Sequence, residues 1–275
     1  MKHYDLHLKE YYPILGEEGC DPTVEVYLPT KHRDGDQPDP IRPCLLICPG
    51  GSYAMCSRRE SEPIALSFTA EGMNVFVLTY SPAPHRFPTQ LREVAASLEL
   101  IYAHAEEWNC DVSRIAIMGF SAGGHLAAHY STSFDCAEVR EVFPDSKAVK
   151  ASLLAYPVIT ADPSKRHTGS FVNLLGHEPN EEEIERFSCD KLVSEKTPPT
   201  FLWHTAADEL VPVANSLLYA SALARYGTPF ELHIYPFGGH GLATVDWQTC
   251  PDLNPLYARG HGWMDEAKKW LKDIL

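Results

Sequence analysis

Alternation between polar and apolar residues marks the first strands of this chain. Residues Thr23–Pro29 alternate in this way, which predicts a half-buried antiparallel strand near a sheet edge, and a strand near Tyr4–Leu8 is expected to pair with it. Further along, continuous apolar runs replace the alternation, as in strands that are covered on both faces. These runs are Cys44–Cys48, Asn74–Tyr80, Arg114–Met118 and Ala151–Tyr156, and further strands are predicted at Thr200–His204 and Glu231–Tyr235.

Segments with helical character separate most of these runs, at residues 57–72, 89–108, 213–226 and 262–275. Strands and helices in alternation predict an α/β fold, with a mostly parallel central sheet and helices on both faces. Since no second core or linker is evident, we expect one domain over residues 1–275. Residues 30–42 are predicted to form a loop.

Residues 159–197 form the longest segment without strand character, and a short acidic helix is predicted within it at residues 180–187. Long insertions of this kind in compact domains are often lids, so we interpret 159–197 as a lid or cap.

Composition narrows the classes of partner. The 275 residues carry a formal net charge of −14, which argues against nucleic acid and anionic membranes as partners. The eight cysteines include no C-x-x-C pair and are expected to be free thiols in a reducing compartment. The N-terminal residues contain no apolar signal core, so a cytoplasmic location is expected.

The stretch Gly119-Phe120-Ser121-Ala122-Gly123 follows an apolar strand and precedes a helix-prone segment. This G-x-S-x-G pattern on a strand, turn and helix is a nucleophile elbow. So sharp a turn strains the serine backbone and leaves room only for small residues two positions before and after it. Ser121 is therefore the candidate nucleophile.

A serine hydroxyl needs an adjacent base, and histidine titrates near neutrality. His240 lies in a glycine-flanked loop after the last strand, where the functional groups of parallel sheets collect. His204 is interpreted as packed. His125 and His129 share one helical face and are expected either on the helix surface or in the protein core. Asp208, after the preceding strand, is the candidate partner of the base, although a helix-capping role is also open.

An attacked carbonyl becomes an oxyanion, which requires hydrogen-bond donors that already point at it. The amide of Ala122 is one candidate donor. The glycine-containing loop after the Cys44–Cys48 strand is expected to supply the others, from Gly51 and Ser52.

With these residues in view, the chain resembles the α/β-hydrolases, in particular the hormone-sensitive-lipase-like and acetyl esterase group. Pro49-Gly50-Gly51-Ser52-Tyr53 is similar to its H-G-G-G-[FYW] loop, and Gly119–Gly124 is similar to its G-x-S-A-G-G elbow. Asp208 in A-x-D-x-L-V-P and His240 in G-G-H-G complete the set. The chain departs from the group where Pro49 replaces the histidine, Ser52 the third glycine and Ser81 an arginine.

The resemblance implies an α/β-hydrolase fold with a small lid insertion and a serine carboxylester hydrolase of the acetylxylan-esterase kind. It implies a small-molecule ester as substrate, with acetylated sugars among the candidates, and a homodimer by analogy. No metal or cofactor is expected, and Tyr53 and Arg86 are candidate substrate contacts. Two alternatives stay open: a serine peptidase or arylformamidase on the same fold, and a catalytically silent binding protein.

Overall fold

The computed structural model describes residues 1–15, 19–30, 38–252 and 254–275, so most of the predicted loop 30–42 lies outside the described residues. Within them, one sheet of eight strands runs in the order β1-β2-β4-β3-β5-β6-β7-β8. The strands are β1 Lys2–His7, β2 Thr23–Leu28, β3 Arg42–Cys48, β4 Asn74–Thr79, β5 Cys110–Phe120, β6 Ala151–Ala155, β7 Thr200–Thr205 and β8 Phe230–Tyr235.

The sheet is antiparallel only at one edge. β1 pairs antiparallel with β2, and β2 with β4, while the remaining neighbours pair in parallel. The mostly parallel α/β fold expected from the sequence is therefore confirmed. The antiparallel strand predicted near the sheet edge is confirmed, but its prediction as half-buried is wrong. Every residue of β2 from Val24 to Leu28 is buried, and Glu25 is covered because Tyr27 and Arg58 donate to its carboxylate.

Helices cover both faces of the sheet. They are α1 Leu8–Tyr11, α2 Glu62–Thr69, α3 Thr89–Ala103, α4 Ala105–Trp108, α5 Ser121–Ser133, α6 Ala137–Arg140, α7 Thr168–Leu175, α8 Glu181–Phe187, α9 Cys189–Leu192, α10 Ala214–Tyr226 and α11 Trp263–Ile274. Short 3₁₀ turns lie at Pro13–Leu15, Arg58–Glu60 and Pro255–Gly262.

Two predicted helices differ from the structure. The helix expected over 57–72 begins only at Glu62, because residues 58–60 form a 3₁₀ turn and Pro63 suits the first turn of a helix. The helix expected over 89–108 is interrupted at His104, which ends α3 and precedes α4. Neither difference moves a strand, so the loops at the carboxyl edge of the sheet keep their predicted places.

Two apolar cores lie on opposite faces of the sheet. Along β3, Leu46 belongs to one core, while Leu45 and Ile47 belong to the other. Residues with period two therefore serve both faces, which is why these strands read as unbroken apolar runs.

The segment 159–197 packs against the main body through helices α7 to α9. Phe171, Leu174 and Phe187 are buried in the same core as α3 and α5. The predicted acidic helix is confirmed as α8, where Asn180 and Glu183 form a reciprocal cap. Among the described residues, no helix is both long and apolar enough to cross a bilayer.

Candidate active site

Ser121 stands at the sharp turn between β5 and α5. Its backbone has a φ of +53°, which is strained for a residue other than glycine. A Cβ at Gly119 would lie 2.1 Å from the Gly123 carbonyl oxygen, and one at Gly123 would lie 2.1 Å from that of Cys48. The steric reason for small residues on both sides of the serine is thus visible in the fold.

The structure brings Ser121, His240 and Asp208 together from three separate loops. The Ser121 hydroxyl donates to His240 Nε2 across 2.7 Å, and His240 Nδ1 donates to Asp208 Oδ2, also across 2.7 Å. The loops follow β5, β8 and β7, whose carboxyl ends meet at one edge of the parallel sheet. This arrangement fits a nucleophile, its base and the carboxylate that orients the base.

Asp208 combines the two roles that the sequence left open. Its Oδ1 accepts from the amides of Leu210 and Val211 at 3.0 and 2.9 Å, so the side chain also closes the following turn. Burial alone would raise the pKa of Asp208, but hydrogen bonds from His204 and His240 lower it well below its usual range. The Asp208 carboxylate is therefore ionised near neutral pH, where it accepts the hydrogen bond from His240.

His204 is packed, as predicted, but it also supports the carboxylate. It is fully buried, with Nδ1 2.8 Å from Ser216 Oγ and Nε2 2.9 Å from the Val211 carbonyl oxygen. Its Nε2 also lies 3.3 Å from Asp208 Oδ2. This imidazole thus contacts the same Asp208 oxygen that accepts from His240.

The loop after β3 carries three consecutive residues with positive φ: Gly51 at +129°, Ser52 at +58° and Tyr53 at +57°. Gly51 and Ser52 line a cleft of about 460 Å³ beside Ser121, and Ala122 follows Ser121 in the first turn of α5. The left-handed conformation of Ser52 and Tyr53 costs roughly 1–2 kcal/mol per residue, so other contacts must hold the loop in place.

Three hydrogen bonds supply that support. The Tyr80 hydroxyl donates to the Pro49 carbonyl oxygen at 2.9 Å, and Asn173 of α7 donates to that of Ser52 at 2.9 Å. The third joins the Gly50 amide to Glu60 Oε2 at 2.7 Å. The loop is therefore tied to its surroundings although Pro49 stands where the related group has a histidine.

Glu60 is a residue of the site that sequence reasoning missed. It is only 3% exposed, and its Oε1 accepts from the Tyr156 hydroxyl at 2.7 Å. The Tyr156 oxygen in turn accepts from the Ala243 amide at 3.0 Å, and the Tyr156 ring packs edge-on against His240 with centroids 5.1 Å apart. One carboxylate thus connects the Gly50 loop with the loop that carries His240.

Burial raises the pKa of Glu60, although hydrogen bonds from Tyr156 and Gly50 and the charges of His240 and Arg59 act against that rise. No signal in the sequence distinguished it, because Arg58-Arg59-Glu60 resembles an ordinary charged surface segment.

Two residues predicted to contact substrate are engaged within the protein instead. Tyr53 is 1% exposed, and its hydroxyl lies 2.8 Å from His125 Nδ1, so the ring offers no surface to the cleft. Arg86 donates to the carbonyl oxygens of Val172 and Asn173 and so holds the end of α7. Arg86 thus supports the segment 159–197 directly, while Tyr53 is anchored to His125, whose Nε2 lies 2.9 Å from the Phe187 carbonyl oxygen.

Among the described residues, His3, Asp5 and Glu25 form the group whose spacing could hold a metal ion. Asp5 and Glu25 face each other across β1 and β2. Glu25 already accepts from the hydroxyl of Tyr27 at 2.8 Å and from Arg58 at 3.1 Å. The Glu25 oxygens that could ligate a metal are thus already hydrogen-bonded within the protein. We assign this group no role in the chemistry at Ser121.

Comparison with known proteins agrees with this geometry. Residues 24–223 match the BD-FAE family. The chain belongs to the BD-FAE family. A solved acetyl ester-xyloside bifunctional hydrolase from Caldicellulosiruptor lactoaceticus is similar at a TM-score of 0.84 and 34% identity, covering 98% of this chain and 96% of that one. The carboxylesterase Cest-2923 from Lactobacillus plantarum WCFS1 has the same TM-score of 0.84 at 27% identity, with 99% and 98% covered.

Among curated proteins, this BD-FAE chain is 37% identical over 245 residues to an endo-1,4-beta-xylanase B of Butyrivibrio fibrisolvens. It is 35% identical over 242 residues to an acetylxylan esterase of Xylanibacter ruminicola. Each match covers 86% of this chain but only 37% and 46% of the two relatives. These likenesses confirm the predicted α/β-hydrolase fold and the resemblance to acetylxylan esterases.

Proposed function

We propose that this protein is a serine carboxylester hydrolase that acts on short acyl esters, with acetyl groups on sugars among its substrates. The observation that carries the proposal is the pair of 2.7 Å contacts that join Ser121 to His240 and His240 to Asp208. The names of the relatives, which include carboxylesterases and an acetylxylan esterase, support the same chemistry.

In this proposal Ser121 attacks the ester carbonyl, and His240 takes the hydroxyl proton. Amides of Gly51, Ser52 and Ala122 receive the oxyanion that forms. The tetrahedral intermediate collapses to an acyl-enzyme as His240 gives its proton to the leaving alcohol. Water then attacks the acyl-enzyme with His240 as the base, which releases the acid and restores Ser121.

We further propose that residues 1–275 act as one domain, with 159–197 as a cap beside the cleft. His167, which caps α7, lies within the electrostatic influence of both His240 and Asp208: burial and the charge of His240 lower its pKa, and the charge of Asp208 raises it. The Asn173 side chain donates to the Ser52 carbonyl oxygen at 2.9 Å. The cap then supports the loop Pro49–Tyr53, which carries the proposed donors Gly51 and Ser52 and is called the oxyanion loop below.

The decisive experiment replaces the nucleophile. Ser121→Ala should abolish hydrolysis of p-nitrophenyl acetate and labelling by a fluorophosphonate, while circular dichroism stays unchanged. Ser133→Ala, at the other end of α5, is the matched control and should keep both activities. Turnover retained in Ser121→Ala would refute the assignment, and amides cleaved faster than matched esters would favour a peptidase or arylformamidase.

A further inference from the structure

A second groove adjoins the cleft beside Ser121 and shares His240 with it. It measures about 500 Å³, within the range of small-molecule sites, and the loop after β8 and the 3₁₀ turn 255–262 border it. The two linings share His240 and Leu210, whereas Ser121, Gly51 and Ser52 line only the first cleft among the described residues. The groove and the cleft beside Ser121 therefore meet at His240.

The chemistry of the reaction gives this position a meaning. The carbonyl oxygen turns toward Gly51 and Ser52, while the leaving oxygen must take a proton from His240 Nε2. An alcohol larger than a few atoms therefore extends over His240, into the groove. The acyl group, attached to the same carbonyl carbon, stays in the cleft beside Ser121.

The walls of the groove combine exposed apolar side chains with polar groups. Leu210, Phe237 and Leu256 are 52%, 48% and 58% exposed, a concentration of apolar surface beside a catalytic histidine. Glu209, Asn254 and Tyr257 place a carboxylate, an amide and a phenol in the same lining. Gly238, which also lines the groove, is held by the Thr205 hydroxyl, which donates to its carbonyl oxygen at 2.9 Å.

We propose that this groove binds the alcohol portion of the ester and selects an extended, neutral, polyhydroxylated alcohol such as an oligosaccharide. Pyranose rings present an apolar face that packs on rings such as Phe237 and a hydroxyl rim that suits carboxylate and amide partners. The Glu209 carboxylate and the net charge of −14 disfavour an anionic alcohol. The inference rests on the proposed ester hydrolysis and adds the part of the substrate that confers specificity.

The test compares three substrates: an acetylated xylo-oligosaccharide, methyl acetate and methyl hexanoate. Phe237→Ala and Leu256→Ala should each lower the ratio of kcat/KM for the oligosaccharide over methyl acetate by roughly three- to tenfold, mainly through KM. The ratio of methyl hexanoate over methyl acetate should not change. Leu217→Ala, which removes an equally exposed leucine on α10, is the matched control and should change neither ratio.

The groove assignment is overturned if both variants keep the oligosaccharide ratio of the wild type. It is also overturned if the loss falls on methyl hexanoate, since the groove would then hold the acyl chain. Failure of the proposed function looks different, because the wild-type protein would then hydrolyse none of the three esters.

Discussion

Replacing Glu60 by glutamine tests whether a buried carboxylate positions the oxyanion loop. The carboxylate accepts from the Gly50 amide and the Tyr156 hydroxyl, both at 2.7 Å. Glutamine has nearly the same shape but presents one acceptor oxygen and one donor group. Its amide nitrogen would then face the Tyr156 oxygen, which already accepts from the Ala243 amide at 3.0 Å, and the phenol proton would lose its acceptor.

The magnitude follows from the bonds that change. Hydrogen bonds to charged groups contribute about 1.5–3 kcal/mol, against about 0.5–1.5 kcal/mol for neutral pairs, so the Gly50 bond weakens by about 1 kcal/mol while the bond from the Tyr156 hydroxyl is lost. If the loss falls on the geometry of the loop in the transition state, about 1.4 kcal/mol corresponds to a tenfold fall in kcat. Outright loss of an oxyanion donor, about 100- to 1000-fold, is the upper bound.

The free energy of unfolding should change little, because burial raises the pKa of Glu60, and removing a charge that is costly to bury offsets the weakened hydrogen bonds. We therefore expect Glu60→Gln to unfold in urea within about 1 kcal/mol of the wild type. The assay is steady-state hydrolysis of p-nitrophenyl acetate, with kcat falling about tenfold and KM changing less.

The matched control is Glu62→Gln, an exposed glutamate in the first turn of α2, which should leave kcat unchanged. A Glu60→Gln variant with the kcat of the wild type would refute the positioning role. A fall in kcat that matches a loss of folded protein would show a structural effect instead.

Two further predictions concern pH and packing. Burial lowers the pKa of His125 to about 4 and that of His129 to about 3. Below pH ~6.5 the unfolded chain therefore binds protons that the folded chain does not. Each of these two histidines lowers the free energy of unfolding by about 3 kcal/mol between neutral pH and pH 4. In urea titrations at pH 7 and pH 4.5, His129→Phe should lose about half of this fall in unfolding free energy, while His261→Phe, at an exposed position, should keep all of it. An equal fall in the wild type and both variants would contradict the assignment of the pH dependence to the buried histidines. Gly123→Ala should fail to give soluble, cooperatively unfolding protein, because its Cβ would lie 2.1 Å from the Cys48 carbonyl oxygen; normal folding would contradict the steric argument.

Much of the architecture was predictable because local patterns report burial. Continuous apolar runs indicated strands covered on both faces, and G-x-S-x-G between a strand and a helix indicated the elbow of Ser121. The order of strands along the chain then predicted that the loops of Asp208 and His240 meet at one edge of the sheet. These inferences needed only spacing and connectivity.

The structure alone decided which side chains face the cleft. Tyr53 ends the oxyanion loop in sequence, yet its left-handed backbone turns the ring into the core, where it meets His125. Glu60 lies in a charged segment that resembles a solvated surface, yet Gly50 and Tyr156 enclose it. Such contacts depend on the direction of each side chain in the packed molecule. Periodicity in the sequence indicates which residues share a face of an element, but it carries no information about which distant residues those side chains meet.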